Sequence, residues 1–192
     1  TAGPADLIEN LAAAFTAQTG IEVGIFQGTT GQMMARLEAE AANPVADVVV
    51  SASMDTAYDF DAQGLLADFQ SENAASVPDF LKGDNWVVQG ISALAIAWNP
   101  NSGTPKPADW TDLTGPDYTD LVTMPDPAQS GSAYELVAAL IANENIGWDL
   151  FEGLADNQMI VPGANAQALN PVLQGAKAVV FGAVDYISFN GQ

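Results

Sequence analysis

The sequence predicts an α/β protein with mainly parallel sheets and helices on both faces. Three observations carry this expectation. Apolar runs of strand length alternate with segments of helical spacing. Residues 47–51 include a continuous β-branched run of the kind that is covered on both sides in a parallel sheet. Three strand-to-helix turns collect hydroxyl side chains, as expected at the carboxyl edge of such sheets.

The opening segment reads as a helix. Pro4 suits a first turn, Leu7, Ile8, Leu11 and Phe15 form an apolar stripe, and Gly20 can end it. A strand should follow, because Ile21, Val23 and Ile25 alternate with Glu22 and Gly24. Gly28-Thr29-Thr30-Gly31 breaks it, and Met33, Met34 and Leu37 restart helical spacing. Asp47-Val48-Val49-Val50-Ser51 is the next strand, Ser53 and Asp55 are helix-start residues, and Gly64 is a stop. Residues 90–98 make another apolar strand. Beyond it, Asn99-Pro100-Asn101-Ser102-Gly103-Thr104-Pro105-Lys106-Pro107 is the most linker-like stretch, and a boundary between two lobes is expected there.

The alternation then resumes. Residues 121–124 read as a strand and 125–131 as a turn, followed by a helix with Leu136, Val137, Leu140 and Ile141 on one face. Ser132 and Glu135 have capping-box spacing at its start. Trp148, Phe151 and Leu154 mark a further helix, Leu169, Val172 and Leu173 another, and residues 178–184 a last buried strand.

Composition narrows the function. A hydrophobic fraction of 48% with 15% charged residues is that of a globular protein, and no apolar stretch is long enough to span a bilayer as a helix. Against 24 acidic residues stand only Arg36, Lys82, Lys106 and Lys177, a net charge of -20 that argues against nucleic acid as a partner. A surface so acidic and so poor in lysine suits molar salt, where screening removes most self-repulsion, and a halophilic source is expected. Cysteine and histidine are both absent, which removes thiol nucleophiles, Ser-His-Asp triads and nearly all zinc and copper sites.

The candidate chemistry lies in the three turns Gly28-Thr29-Thr30-Gly31, Ser51-Ala52-Ser53 and Gln129-Ser130-Gly131-Ser132. Free N–H groups at a helix N-terminus, with the helix dipole and nearby hydroxyls, hold phosphate or carboxylate without a basic side chain. Simple helix capping is the competing use of each turn taken alone. There is no phosphate-loop motif with its lysine and no Gly-x-Gly-x-x-Gly turn, so nucleotides have little support. Asp126 and Asp185 both fall near strand ends, but among 24 acidic residues such a coincidence gives little support to a carboxylate pair; Asp185 could instead grip an amine. Trp86, Trp98 and Trp110 are read as core or hinge packing.

The run Thr30-Gly31-Gln32-Met33-Met34-Ala35-Arg36-Leu37-Glu38-Ala39-Glu40, then Asn43-Pro44 and Ala46-Asp47-Val48, resembles the extracytoplasmic solute-binding proteins of ABC importers. The similar branch contains ferric-iron and 2-aminoethylphosphonate binders. Asp126-Pro127-Ala128-Gln129-Ser130-Gly131-Ser132-Ala133-Tyr134 and residues 175–186 agree, so the resemblance spans nearly the whole chain in order.

The resemblance implies a two-lobe type II periplasmic-binding-protein fold that closes on its ligand by a hinge. Lobe 1 would be residues 1–98, lobe 2 residues 99–182, and 183–192 a segment crossing back, with crossings over 93–99 and 182–186. It also implies further chain at both ends, leaving lobe 1 incomplete. Carried over by position, the ligand would touch Thr29, Thr30, Ser53, Ser130, Gly131, Ser132, Asp185 and Tyr186. Ferric binders of this branch present neighbouring tyrosines where Asp185-Tyr186-Ile187 stands, and one phenolate there favours an anionic or zwitterionic, phosphonate-like solute. Ferric iron held by Tyr186 is the alternative, and a carboxylate-dependent lyase or hydrolase is the alternative of another class. The expected protein is a monomeric, non-catalytic, extracytoplasmic binder with no cofactor and an ABC permease as partner.

Overall fold

The computed structural model describes residues 1–69 and 71–184. Helix α1 (Ala5–Thr19) follows Pro4 and ends at Gly20, whose φ of 75° lets its N–H reach back to the Thr16 carbonyl. Helix α2 (Thr30–Ala39) is capped by Thr29 and α3 (Met54–Ala62) by Ser53. After two short 3-10 turns comes β1 (Leu94–Trp98), then two more 3-10 turns at Trp110–Thr114 and Pro116–Tyr118 and strand β2 (Val122–Thr123). Helices α4 (Gly131–Ala142), α5 (Asp149–Asp156) and α6 (Asn165–Leu173) precede β3 (Val179–Val184).

The hydrophobic run at the end of the described chain organises everything after residue 107. Strand β3 lies between β1 and β2, antiparallel to the first and parallel to the second. All six of its residues are buried. Val179 and Phe181 face Leu136 and Leu140 of α4 and Leu150 and Leu154 of α5. Val180 and Ala183 face Ala168, Leu169 and Val172 of α6 on the opposite side. Helices therefore cover both faces of the sheet, as expected for a strand without polar alternation. Each large side chain fully buried here contributes about 1.5–3 kcal/mol.

The step from Val180 to Ala183 needs one extra residue, and the register against β1 slips between Ala95 and Ala97. Gly182 takes it up with φ 78°, the left-handed conformation of a glycine bulge. Between α6 and β2 the tie is polar: Thr123 is fully buried, and its hydroxyl donates to the Ala168 carbonyl at 2.6 Å.

Three expectations are corrected. Among the described residues the sheet is mixed rather than mainly parallel, with three strands. Residues 21–25 and 47–51 do not form strands, although both were read as such. The Thr1 ammonium donates to the Phe26 carbonyl at 2.7 Å, Gly28 N–H to the Thr1 carbonyl at 3.1 Å, and Ala2 N–H to the Val50 carbonyl at 2.9 Å. Thr1 and Ala2 thus sit between the two segments, and among the described residues neither segment has a ladder partner along its length. Their apolar side chains stay exposed, Val48 at 80% and Ile21 at 58%. A lone extended segment cannot offset its backbone entropy without a neighbour. Finally, the cap of α4 is Ser130, not Ser132 with Glu135; the Ser130 hydroxyl accepts from Ala133 N–H at 3.2 Å, and Glu135 turns elsewhere.

Candidate functional site

The three hydroxyl-bearing turns meet. Gly131 N–H, at the start of α4, donates to Thr30 Oγ1 at the start of α2 over 3.2 Å. Gly31 N–H is directed at the Gln129 carbonyl, at 3.4 Å. A Cβ on Gly31 would lie 2.3 Å from the Ala128 carbonyl oxygen, and one on Gly131 would lie 2.9 Å from Thr30 Oγ1 and 3.2 Å from Ser53 Cβ. Only hydrogen at these two positions allows so close an approach. The N-termini of α2, α3 and α4 are therefore neighbours, although their sequences lie far apart.

Each hydroxyl has an assigned local task. Thr29 Oγ1 accepts from Gln32 N–H at 3.2 Å, while Gln32 Oε1 accepts from Thr29 N–H at 3.0 Å, a complete capping box. Ser53 Oγ accepts from Asp55 N–H at 3.2 Å and donates to Glu135 Oε1 at 2.5 Å. Ser130 is buried and donates to Asn165 Oδ1 at 2.8 Å; Asn165 Nδ2 donates to Ser132 Oγ at 3.3 Å, and the two serine oxygens are 3.0 Å apart. Asn165 opens α6, so a fourth helix start joins the cluster.

The turn ahead of α4 is shaped by Asp126. Its Oδ1 accepts from Ala128 N–H at 2.9 Å and its Oδ2 from the Gln129 side chain at 3.1 Å. This carboxylate is spent on loop geometry, the Asx-turn use of aspartate.

Helix dipoles and N–H groups supply the positive character of this region. Arg36 pairs with Glu40, Lys82 with Asp79, and Lys177 with Asp120. The Asp55 carboxyl beside Ser53 is held above its usual range, chiefly by burial, then by the charges of Glu135 and Asp59. Such a cluster can receive an oxyanion at helix N-termini without a basic residue.

The structure brings together Thr29, Thr30, Ser53, Ser130, Gly131 and Ser132, whereas Asp185 and Tyr186 lie outside the described residues. Asn165 and Glu135 were missed as members of the cluster. Asn165 carried a signal, an asparagine just after Gly163 and Ala164 at a helix start; Glu135 carried one that pointed to the wrong partner. Tyr118 is packed in the core, with its hydroxyl donating to the Pro105 carbonyl at 2.8 Å, and Tyr58 stacks edge-on against Trp86 at 5.2 Å. Among the described residues, no group of three or more Asp or Glu side chains is placed to hold a metal ion.

Comparison with known proteins adds an independent finding. A family model described as bacterial extracellular solute-binding protein matches residues 1–192. The chain is 28% identical over 137 residues to "Iron uptake protein A1" of Synechocystis, covering 68% of this chain and 37% of that protein. It is 33% identical over 129 residues to the "Putative 2-aminoethylphosphonate-binding periplasmic protein" of Salmonella typhimurium, covering 65% and 37%. The iron-bound structure of HitA from Pseudomonas aeruginosa superposes with a TM-score of 0.82 at 28% identity, over 97% of this chain and 62% of that one. The chain thus spans a little over a third of these curated relatives and under two thirds of the solved structure.

Proposed function

The chain belongs to the bacterial extracellular solute-binding protein family, and from that membership we propose that it is the capture component of an ABC importer, taking a small anionic or zwitterionic solute of phosphonate type. The solute would sit between lobe 1 (residues 1–98) and lobe 2 (99–182), with 183–192 crossing back, and be enclosed by hinge closure. It would be handed unchanged to a permease outside the cytoplasm. A high-salt environment fits the net charge of -20.

The observation that carries this reading is the junction of the α2, α3 and α4 N-termini, marked by Gly131 N–H on Thr30 Oγ1 at 3.2 Å. Thr30, Ser53, Ser130, Gly131 and Ser132 would supply N–H and O–H donors to the oxyanion, Thr29 would hold the α2 turn in shape, and Asp185 would face an amine. Calorimetric titration of the full-length natural protein with 2-aminoethylphosphonate tests it, with phosphorus NMR reporting whether the solute is altered. We expect binding without turnover and, for Ser130→Ala, affinity lower by about tenfold, the worth of one hydrogen bond to a charged group. No binding by the natural protein, or product appearing with time, would sink the proposal.

Ferric iron is the second reading, favoured by the likeness to an iron uptake protein and to iron-bound HitA. In that case Tyr186 would be a ligand. Ferric citrate would then give a tyrosinate charge-transfer band that Tyr186→Phe removes.

A further inference from the structure

Glu135 projects from α4, yet its carboxylate serves α3. Oε1 accepts the Ser53 hydroxyl at 2.5 Å and lies 3.4 Å from Asp55 N–H, a contact across 82 residues of sequence. The start of α3 is a place that favours an anion, and here a side chain of the same molecule occupies it. Two other bonds draw the same region together, Gly131 N–H on Thr30 Oγ1 and Gly31 N–H on the Gln129 carbonyl. The arrangement carries a built-in opposition: Glu135 brings its charge up to Asp55, whose carboxyl is itself raised by burial and by that charge. The start of α3 thus already holds an anionic group, and an incoming oxyanion would compete with Glu135 for the same donors.

We propose that Glu135 is an internal clasp: it ties α4 to the start of α3 when no solute is bound, and an oxyanion displaces it from Ser53 Oγ and Asp55 N–H. This rests on the reading of these turns as the solute site. It makes Glu135 an inhibitor of binding at a site that it touches. Removing it therefore has two opposite effects, loosening α3 in the empty protein and tightening the hold on anions. A purely structural tie would give the first effect without the second. A residue that directly supports the solute would give weaker binding.

The test uses the full-length natural protein and its Glu135→Ala, Glu135→Gln and Ser53→Ala variants, with inorganic phosphate as probe. Hydrogen exchange read on the first turn of α3 in the absence of phosphate reports the tie; exchange in β3 reports that each variant is folded. Calorimetry reports phosphate affinity. With Glu135→Ala we expect faster exchange in α3 and phosphate affinity higher by about tenfold, equivalent to 1.4 kcal/mol. Glu135→Gln should move both the same way by less, because its amide oxygen can still accept from Ser53 without the charge. Adding Ser53→Ala to Glu135→Ala should abolish the gain. Unchanged exchange in Glu135→Ala would overturn the tie, and unchanged or weaker phosphate binding would overturn displacement. Phosphate binding by none of these proteins would refute the site reading and displacement with it, while the exchange result still decides whether Glu135 joins the two helices.

Discussion

At the residue scale, what holds the junction together is the lack of a side chain at Gly31. Its absent Cβ would stand 2.3 Å from the Ala128 carbonyl oxygen, and backbone on both sides leaves no side chain to swing away. Elsewhere in a helix, Gly→Ala stabilises by roughly 0.5–1 kcal/mol. Here steric conflict wins, and Gly31→Ala should cost about 1–3 kcal/mol, the usual penalty of overpacking. Gly24 is the control: nothing lies within 4 Å of its missing Cβ and its φ is not positive, so Gly24→Ala should be neutral or slightly stabilising. Urea unfolding of the two variants checks this, and equal midpoints would remove steric necessity from the junction. The same locality decides which residues of the cluster were legible. Thr30, Ser53, Ser130, Gly131 and Ser132 could be read because hydroxyls and glycines at turns carry their signal within four or five residues. Glu135 could not, since its partner Ser53 is 82 residues away, and spacing alone pairs a glutamate with the nearest cap.

At the element scale, periodicity located five of the six α-helices among the described residues and the strands β1, β2 and β3, because an apolar face is written into spacing whether or not anything covers it; α3 was legible from its start residues Ser53 and Asp55 and its stop at Gly64. Cover is not written there. The α1 stripe of Leu7, Leu11 and Phe15 is half-exposed, at 45%, 49% and 46%, and no α1 residue is buried. The run at 47–51 has the composition of a central strand but gains no ladder along its length among the described residues. The 3-10 turn at Trp110–Thr114 escaped notice for the opposite reason. It is fixed by side-chain capping between Asp109 and Asp112 rather than by an apolar period, and two backbone N–H bonds hold the Asp112 carboxyl below its usual range. Local stability should follow cover. In the 192-residue chain, amides of α1 should exchange through local opening, several orders of magnitude faster than those of β3, whose exchange should need global unfolding. Equal protection in the two elements would mean that the α1 face is covered in solution.

At the scale of the whole molecule, charge sets the terms on which these elements stay together. With 24 acidic residues and four basic ones, every cation could pair and 20 carboxylates would still have no cationic partner. Surface pairs such as Arg36–Glu40 contribute only about 0–1 kcal/mol each, so pairing cannot offset the repulsion, and screening has to. The Debye length falls from about 10 Å at 0.1 M salt to about 3 Å at 1 M, below the usual spacing of surface charges. The thermal midpoint should therefore climb steeply with sodium chloride up to about 1 M and flatten beyond it, because screening saturates. An excluded-solute effect would instead keep rising with concentration, as with sucrose. The same field acts on the proposed anionic solute, which must approach a surface of its own sign. Its association rate should rise with salt over the same interval, the reverse of ordinary electrostatic steering. A rate that falls with salt would mean that the solute is a cation, and the iron reading would then take precedence over the phosphonate one.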